Sequence, residues 1–231
     1  MTMISEQLKA VHVRIAAACL ASGRSSADVS LLAVSKTFPA QAVSAAHAGG
    51  QRAFGENYIQ EAVDKMALLQ HLPVQWHCIG PIQSNKTRLV AEHFDWVHTV
   101  DRLKIAQRLS DQRPPHLAPL QVCLQVNVDG GANKSGTTPE EVLALAQAVA
   151  LLPGLSLRGL MCIPEPVADF DTARAVFGRA KALLEQCRDQ GLRMDTLSMG
   201  MSADLEAAIA AGSTMVRVGS AIFGARATPQ S

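Results

Sequence analysis

The sequence has little that would mark a secreted, membrane-bound or nucleic-acid-binding protein. Residues 1–7 lack the basic segment and the long apolar segment of a signal peptide. There is no stretch of about 20 uncharged apolar residues of the kind that crosses a membrane. The formal net charge at pH 7 is only +1, so no general basic field is available to hold nucleic acid. We therefore expect a cytoplasmic protein that binds neither membranes nor nucleic acids.

Metal-ligand spacing is also missing. The five cysteines are widely scattered along the chain, and three of them lie in apolar, strand-like runs, which is typical of buried free thiols. Apolar residues make up 48% of the chain and charged residues 18%, which is ample for a large core. The cysteines are Cys19, Cys78, Cys123, Cys162 and Cys187.

What the sequence does contain is an almost uninterrupted alternation of strand-like and helix-like segments. Strands are predicted at residues 31–36, 52–55, 75–80, 95–100, 120–128, 157–163, 196–200 and 214–219. Helices are predicted at residues 5–21, 40–48, 58–69, 84–92, 101–110, 139–151, 169–190 and 203–211, with Thr138 as the N-cap of the sixth. Such alternation is typical of a parallel sheet covered by helices.

Eight strands in 231 residues favour a single α/β domain over residues 1–231, a (β/α)8 TIM barrel with an extra N-terminal helix. No linker or shift in composition divides the chain. An open Rossmann-like sheet is the alternative, and the lack of a G-x-G-x-x-G motif after the first strand weakens it. In a barrel of this kind the functional side chains lie at the C-terminal ends of the strands.

Lys36 is the first side chain at such a strand end. It closes the apolar run that starts at Leu31, and Thr37-Phe38-Pro39 follows it directly. A lysine at a strand end is usually solvated. A lysine that is desolvated instead has a lowered pKa and can form a Schiff base with an aldehyde.

The turns after the last two strands have the features of a phosphate site. Ser198–Ser202 combines two hydroxyls with a glycine, and Arg217–Gly224 adds a guanidinium, a hydroxyl and further glycines. Backbone N–H groups at such turns bind phosphate, although plain turn glycines are the alternative interpretation. Because the last strand of a closed barrel neighbours the first, this site would lie beside Lys36. Pyridoxal 5′-phosphate carries both an aldehyde and a phosphate and would reach both.

Other polar side chains also follow predicted strands. They are Asn57, His77, Lys86, Asn127 and Lys134. Asn57 is expected to contact the cofactor, whereas His77 is more typical of a packed barrel residue than of a proton shuttle. Lys86 and Lys134 are possible secondary amines for the same cofactor.

Several motifs in this order resemble those of the pyridoxal phosphate homeostasis proteins, whose fold is similar to the barrel domain of alanine racemases. The resemblance covers nearly the whole chain and is carried by residues 33–36, 54–61, 76–86, 134–136, 159–161, 197–202 and 217–224. It implies an alanine racemase-like barrel. The chain departs from the family pattern at Phe38, where members often have lysine, and at Ser220, where threonine is common.

The resemblance also implies a cofactor site. The residues that would bind the cofactor are Lys36, Asn57, Ser198, Ser202, Arg217, Gly219 and Ser220. Lys36 would carry the Schiff base, and Ser198 or Ser202 would hold the phosphate together with the turn after the eighth strand. Arg217 would face the pyridine nitrogen. Because arginine does not give up its proton, that nitrogen would stay unprotonated and would be a poor electron sink.

The expected function is carriage of the cofactor without catalytic turnover. Racemisation needs a second base opposite the lysine, which alanine racemases take from a tyrosine of an additional domain. Tyr58 is the only tyrosine and is expected to pack near the barrel mouth, and the strands use up the chain by Gly224. We expect a monomer that maintains the intracellular vitamin B6 cofactor and passes it to apo forms of pyridoxal phosphate enzymes. A racemase-like enzyme is the alternative, and a barrel aldolase that uses Lys36 with Glu56 is a third.

Overall fold

The computed structural model describes residues 2–131 and 135–224. Within these residues, parallel strands form one closed barrel in which β1 lies between β2 and β8. The strands are β1 Ser30–Val34, β2 Ala53–Glu56, β3 Gln75–Cys78, β4 Trp96–Val100, β5 Leu120–Gln125, β6 Leu155–Met161, β7 Thr196–Ser198 and β8 Met215–Val218. The predicted (β/α)8 barrel is confirmed, and the open-sheet alternative is wrong.

Helices separate the strands and cover the outside of the barrel. They are α1 Met3–Ala21, α2 Ala40–Ala48, α3 Ile59–Leu68, α4 Thr87–His93, α5 Leu103–Gln112, α6 Val142–Ala150, α7 Phe170–Asp189, α8 Leu205–Ala210 and α9 Ser220–Phe223. The predicted helices agree with these bounds to within a few residues. The short helix α9, which follows β8 at once, was not predicted.

The extra N-terminal helix α1 packs against α2, α8 and α9. Its apolar residues recur every three or four positions, so that Leu8, Val11 and Ile15 are buried on one face. The Arg14 guanidinium also forms a two-pronged pair with the Glu206 carboxylate on α8. In this way α1 covers the helices that flank β8 and β1, where the ends of the barrel sequence meet.

The loop after β5 differs from the prediction. The fifth strand ends at Gln125. Val126 then forms an isolated parallel bridge with Thr137, whose N–H donates to the Gln125 carbonyl at 2.9 Å. The predicted N-cap role of Thr138 is wrong. The Thr138 N–H and hydroxyl instead donate to the Glu141 carboxylate at 3.3 Å and 3.2 Å. Helix α6 begins at Val142, the residue after Glu141. Lys134, in the same loop, lies outside the described residues.

The barrel interior is a second packing region, separate from the core beneath the helices. Trp96, Cys123 and Met161 form their own buried cluster there. Polar groups share this space: His98 Nδ1 on β4 lies 2.8 Å from Ser198 Oγ on β7. Since β4 and β7 are not neighbours in the barrel, this contact crosses the interior.

The five cysteines are buried thiols that form no disulfide in the described part of the chain, as predicted. In the described part of the chain, no group of three or more histidine, cysteine, aspartate or glutamate side chains is placed to hold a metal ion. None of the described helices has the length and apolar character to span a membrane.

Candidate cofactor site

A cavity of about 310 Å³ opens at the C-terminal ends of the strands. Its volume lies at the lower end of the range of small-molecule sites. Six of the seven residues that the sequence suggested line it, namely Lys36, Asn57, Ser202, Arg217, Gly219 and Ser220. The structure thus brings together groups from both sides of the junction between β8 and β1.

Lys36 lies two residues beyond the end of β1, half-buried in the cavity wall. Phe38 lines the same wall, and its ring centroid is 5.2 Å from that of Phe223 in α9. Val34 and Ile163 add further apolar surface to the lining. The aliphatic stem of Lys36 therefore lies against a partly apolar wall.

Asn57 enters the cavity from the end of β2. Gly80 lets the Asn57 backbone approach closely, because a Cβ atom at residue 80 would lie only 2.2 Å from the Asn57 carbonyl oxygen. The side-chain Oδ1 of Asn57 is buried and has no hydrogen-bond partner among the described residues. A buried polar atom without a partner is unfavourable, so this atom is suited to bind a polar group of a ligand.

The turn after β7 presents Ser202 to the cavity. Gly200 adopts a φ of +92°, and a Cβ atom there would lie 2.5 Å from the Ala208 side chain. The Gly200 carbonyl accepts from the Arg217 N–H at 3.0 Å, which ties this turn to β8. Glycine is thus required here for both its backbone conformation and the close packing.

The turn after β8 presents Gly219 and Ser220. A Cβ atom at Gly219 would lie 3.1 Å from the Val34 carbonyl oxygen, so glycine allows the ends of β8 and β1 to approach closely. The first N–H groups of a helical turn have no partner within that turn. Those at the start of α9 therefore provide donors beside the Ser220 hydroxyl.

Arg217 forms the buried floor of the cavity, with only 4% of its surface exposed. Its Nη1 donates to the Ser198 carbonyl at 2.6 Å and to Ser198 Oγ at 2.7 Å, and its Nη2 donates to the Cys162 carbonyl at 3.0 Å. These bonds fix the plane of the guanidinium. Ser198, the seventh suggested residue, is fully buried beneath Arg217 and does not line the cavity.

A chain of hydrogen bonds continues from Arg217 into the barrel. Arginine only donates, so Ser198 Oγ accepts from Arg217. We assign the Ser198 hydroxyl proton to His98 Nδ1, because that nitrogen is the acceptor within reach of it among the described residues. His98 then carries its proton on Nε2 and donates to His77 Nδ1 at 2.9 Å. His77 is left with an Nε2–H that is buried and has no partner among the described residues. We call these four residues the interior chain.

Both histidines of the interior chain are neutral. Burial lowers the pKa of His77 to about 3. Burial, together with the neighbouring His77 and Arg217, also lowers the pKa of His98 well below its ordinary value. The His77 ring stacks on Trp96 with an interplanar angle of 7°, so His77 is the packed barrel residue that the sequence predicted.

Other candidate side chains do not line the cavity. Glu56 is fully buried, and its Oε1 accepts from the Ser35 hydroxyl at 2.6 Å. The aldolase interpretation required Glu56 as an acid/base group in the cavity, and the structure does not place it there. Tyr58 is 55% exposed outside the cavity, and Lys86 precedes α4 without reaching the lining.

Comparisons with known proteins agree with this architecture. Residues 14–227 match the family model "Alanine racemase, N-terminal domain". A curated protein of Pseudomonas aeruginosa named pyridoxal phosphate homeostasis protein is 62% identical over 98% of this chain and 97% of its own length. One of the same name from Escherichia coli K12 is 53% identical over 98% of both chains.

The chain belongs to the pyridoxal phosphate homeostasis protein family. Among solved structures, PipY of Synechococcus elongatus with PLP bound superimposes with a TM-score of 0.82 at 38% identity. That match covers 96% of this chain and all of PipY. The family resemblance seen in the sequence is thus confirmed.

Two parts of the site were missed from the sequence. The sequence predicts His98 only as a strand residue, although a histidine within a buried apolar run is itself a signal of an internal hydrogen bond. The sequence likewise predicts Lys65 only as a residue of α3, yet its side chain is 4% exposed and contacts the segment that carries Lys36. No simple sequence pattern distinguishes such a buried lysine from the many exposed ones.

Proposed function

We propose that this chain binds pyridoxal 5′-phosphate in the cavity at the end of the barrel and holds it as a Schiff base on Lys36. The observation that carries the proposal is the meeting of a half-buried amine, a fixed guanidinium and two serine turns in one cavity. That PipY, with this fold at 38% identity, was crystallised with PLP bound supports it.

The residues present fit this cofactor. Ser202, Ser220 and the N–H groups of their turns suit a phosphate. The unpartnered Asn57 Oδ1 suits a ring hydroxyl, and Arg217 suits a ring nitrogen that accepts a hydrogen bond. Val34, Phe38, Ile79 and Ile163 provide apolar walls for a flat ring.

When bound, the cofactor supplies an aldehyde that reacts reversibly with primary amines. Lys36 provides the amine, and the serine turns hold the opposite end of the molecule. Burial lowers the pKa of Arg217, but arginine keeps its proton in proteins, and three neutral oxygens accept hydrogen bonds from the guanidinium. Arg217 would therefore leave a ring nitrogen facing it unprotonated, and such a ring would be a poor electron sink, which suits retention of the cofactor better than carbanion chemistry.

We further propose that the protein stores and delivers the cofactor rather than turning over a substrate. Among the described residues that line the cavity, Lys36 and Arg217 are the ionisable ones. A racemase needs a second base on the face opposite its lysine, and the described lining does not supply one. The acceptors of the delivered cofactor would be apo-enzymes that use it, and the chain would act as a monomer in the cytoplasm.

The attachment site is tested by adding the cofactor, recording the absorbance spectrum, reducing with borohydride and mapping the modified lysine by mass spectrometry. Lys36→Ala should lose the lysine-adduct band, whereas Lys86→Ala, a lysine outside the cavity, should keep it. Modification at another lysine, or an unchanged band in Lys36→Ala, would overturn the attachment site.

The carrier role is tested separately. The loaded protein should restore the activity of a purified apo-enzyme. It should not exchange the α-proton of any single amino acid with D2O at turnover rates. Exchange at turnover rates would instead establish the racemase-like alternative. Light scattering during size exclusion checks the expected monomer.

A further inference from the structure

Both backbone neighbours of Lys36 are held by charged side chains. On one side, the Ser35 hydroxyl donates to Glu56 Oε1 at 2.6 Å, and the Ser35 carbonyl accepts from the Lys65 ammonium at 2.9 Å. On the other side, the Thr37 N–H donates to Glu61 Oε1 at 2.8 Å. Lys36 therefore lies in a segment that is fixed immediately before and after it.

Lys65 links these contacts. Its Nζ donates to the Ser35 carbonyl at 2.9 Å, to Glu56 Oε1 at 2.7 Å and to Glu61 Oε1 at 3.3 Å. An ammonium has three donors, and three acceptors are present, so its hydrogen-bonding capacity is filled. The group is 4% exposed and Glu56 is fully buried, which protects the pair from screening by salt. We call Glu56, Lys65 and Glu61 the charged network.

The segment that this network holds is strained. Thr37 has a φ of +67°, and it is the only non-glycine residue with a positive φ in the described part of the chain. A β-branched residue rarely adopts this conformation, because its side chain crowds the backbone. Such strain persists only where the surroundings impose it. Two hydrogen bonds hold it here: the Phe38 N–H closes the turn on the Ser35 carbonyl at 3.1 Å, and the Thr37 N–H donates to Glu61.

We infer that Lys65 and Glu61 are positioning residues for Lys36. Lys65 orients Glu61 and holds Ser35, Glu61 holds Thr37 in its strained turn, and the turn directs the Lys36 side chain into the cavity. Neither residue lines the cavity, so both act through the backbone of the Lys36 segment. The inference rests on the proposed function in taking Lys36 as the cofactor-binding amine.

The test compares Glu61→Ala with Glu61→Gln. Alanine removes the acceptor for the Thr37 N–H, whereas glutamine keeps an oxygen in its place. In the cofactor-free protein, amide hydrogen exchange at Thr37 should be at least about tenfold faster in Glu61→Ala and near wild type in Glu61→Gln. Cofactor affinity should fall about tenfold in Glu61→Ala, as for the loss of one hydrogen bond.

Two further variants separate positioning from a general structural effect. Glycine tolerates a positive φ, so Thr37→Gly combined with Glu61→Ala should recover most of the lost affinity. Glu185→Ala on α7 removes the partner of Lys181 in another i,i+4 pair, with both side chains about half exposed. It should change neither Thr37 exchange nor affinity.

Each outcome decides the matter. Wild-type exchange and affinity in Glu61→Ala, or a double variant as weak as Glu61→Ala, would overturn the inference while leaving Lys36 attachment intact. Failure of the wild-type protein to form any borohydride-stable adduct would instead overturn the proposed function. In that case the exchange rates at Thr37 still report whether Glu61 holds the turn.

Discussion

The interior chain and the charged network support the same cavity in opposite ways. In the interior chain, the Arg217 cation donates to neutral acceptors alone. Both histidines of that chain are uncharged. The charged network places one ammonium between two carboxylates to hold a turn. The contrast follows from what each supports: a guanidinium that needs acceptors in its plane, and a strained backbone that needs strong, localised bonds.

The two regions also respond to acid in opposite ways. The pKa of His77 is about 3 in the folded protein and 6.5 as an ordinary histidine, so the unfolded state binds the proton first. The contribution of neutral His77 to the free energy of unfolding is therefore lost as the pH falls below 6.5. Burial raises the pKa of Glu56, although Lys65 and Ser35 oppose this. The contribution of Glu56 to the free energy of unfolding is therefore present at low pH and is lost as the pH rises through the pKa of Glu56 in the folded protein.

The largest effect is expected from breaking the charged network. Lys65→Met removes an ammonium that fills three acceptors and leaves Glu56 buried without its cation. Removing one partner of a buried ion pair lowers the free energy of unfolding by about 3–5 kcal/mol. Urea denaturation at pH 7 measures the loss.

Lys181→Met is the matched control, because its pair with Glu185 is about half exposed. Exposed pairs contribute at most about 1 kcal/mol. If Lys65→Met were no less stable than Lys181→Met, apolar packing would replace the network without loss, and the contrast between the two regions would disappear.

The second prediction concerns the interior chain and pH. Because the pKa of His77 is about 3 in the folded protein, this histidine is expected to lower the free energy of unfolding by about 2 kcal/mol between pH 7 and pH 5. His77→Phe keeps a ring to stack on Trp96 and removes one titrating group. The loss of stability on acidification should therefore shrink by about 2 kcal/mol relative to wild type.

Comparing variants rather than absolute values cancels the opposing contribution of Glu56, which both proteins share. His12→Gln, at an exposed position on α1, should leave the pH dependence as in wild type. An unchanged pH dependence in His77→Phe would mean that His77 takes up its proton in the folded barrel, against the hydrogen-bond directions assigned to the interior chain.

These two regions also mark the limit of prediction from the sequence. Counting strands around a closed barrel makes the last and first strands neighbours, which is why Lys36, Arg217 and Ser220 could be placed together. Side-chain direction at a strand end is a finer matter. Ser198 is the last residue of β7 and is buried, whereas Ser202 lies in the turn beyond the strand. Strand ends are the least predictable part of an element, so Ser198 and Ser202 could not be separated.

The charged network was beyond sequence reasoning for another reason. Glu56 and Lys65 lie nine residues apart on a strand and a helix, and only their packing brings them within 2.7 Å. The positive φ of Thr37 has no signal either, because such turns are usually marked by glycine or asparagine. Contacts that oppose a residue's own preference are visible only when the surrounding structure is known.

The smallest effect separates the two serines that the sequence left open. Ser198→Ala removes an acceptor of Arg217 and the donor to His98. Because Arg217 Nη1 keeps the Ser198 carbonyl as an acceptor, the free energy of unfolding should fall by only about 1 kcal/mol. Ser202→Ala, on the cavity wall, should stay within about 0.5 kcal/mol of wild type while weakening cofactor binding about tenfold.

Urea denaturation and cofactor titration of both variants therefore give a crossed pattern, with stability lost in one and affinity in the other. Ser198 is fully buried beneath Arg217, so it acts on the cofactor only through the guanidinium that it holds. Should Ser198→Ala weaken binding more than Ser202→Ala while staying as stable as wild type, the hydroxyl at 198 would have to be a phosphate ligand. The interior chain would then end at His98, and Arg217 would be held by backbone carbonyls alone.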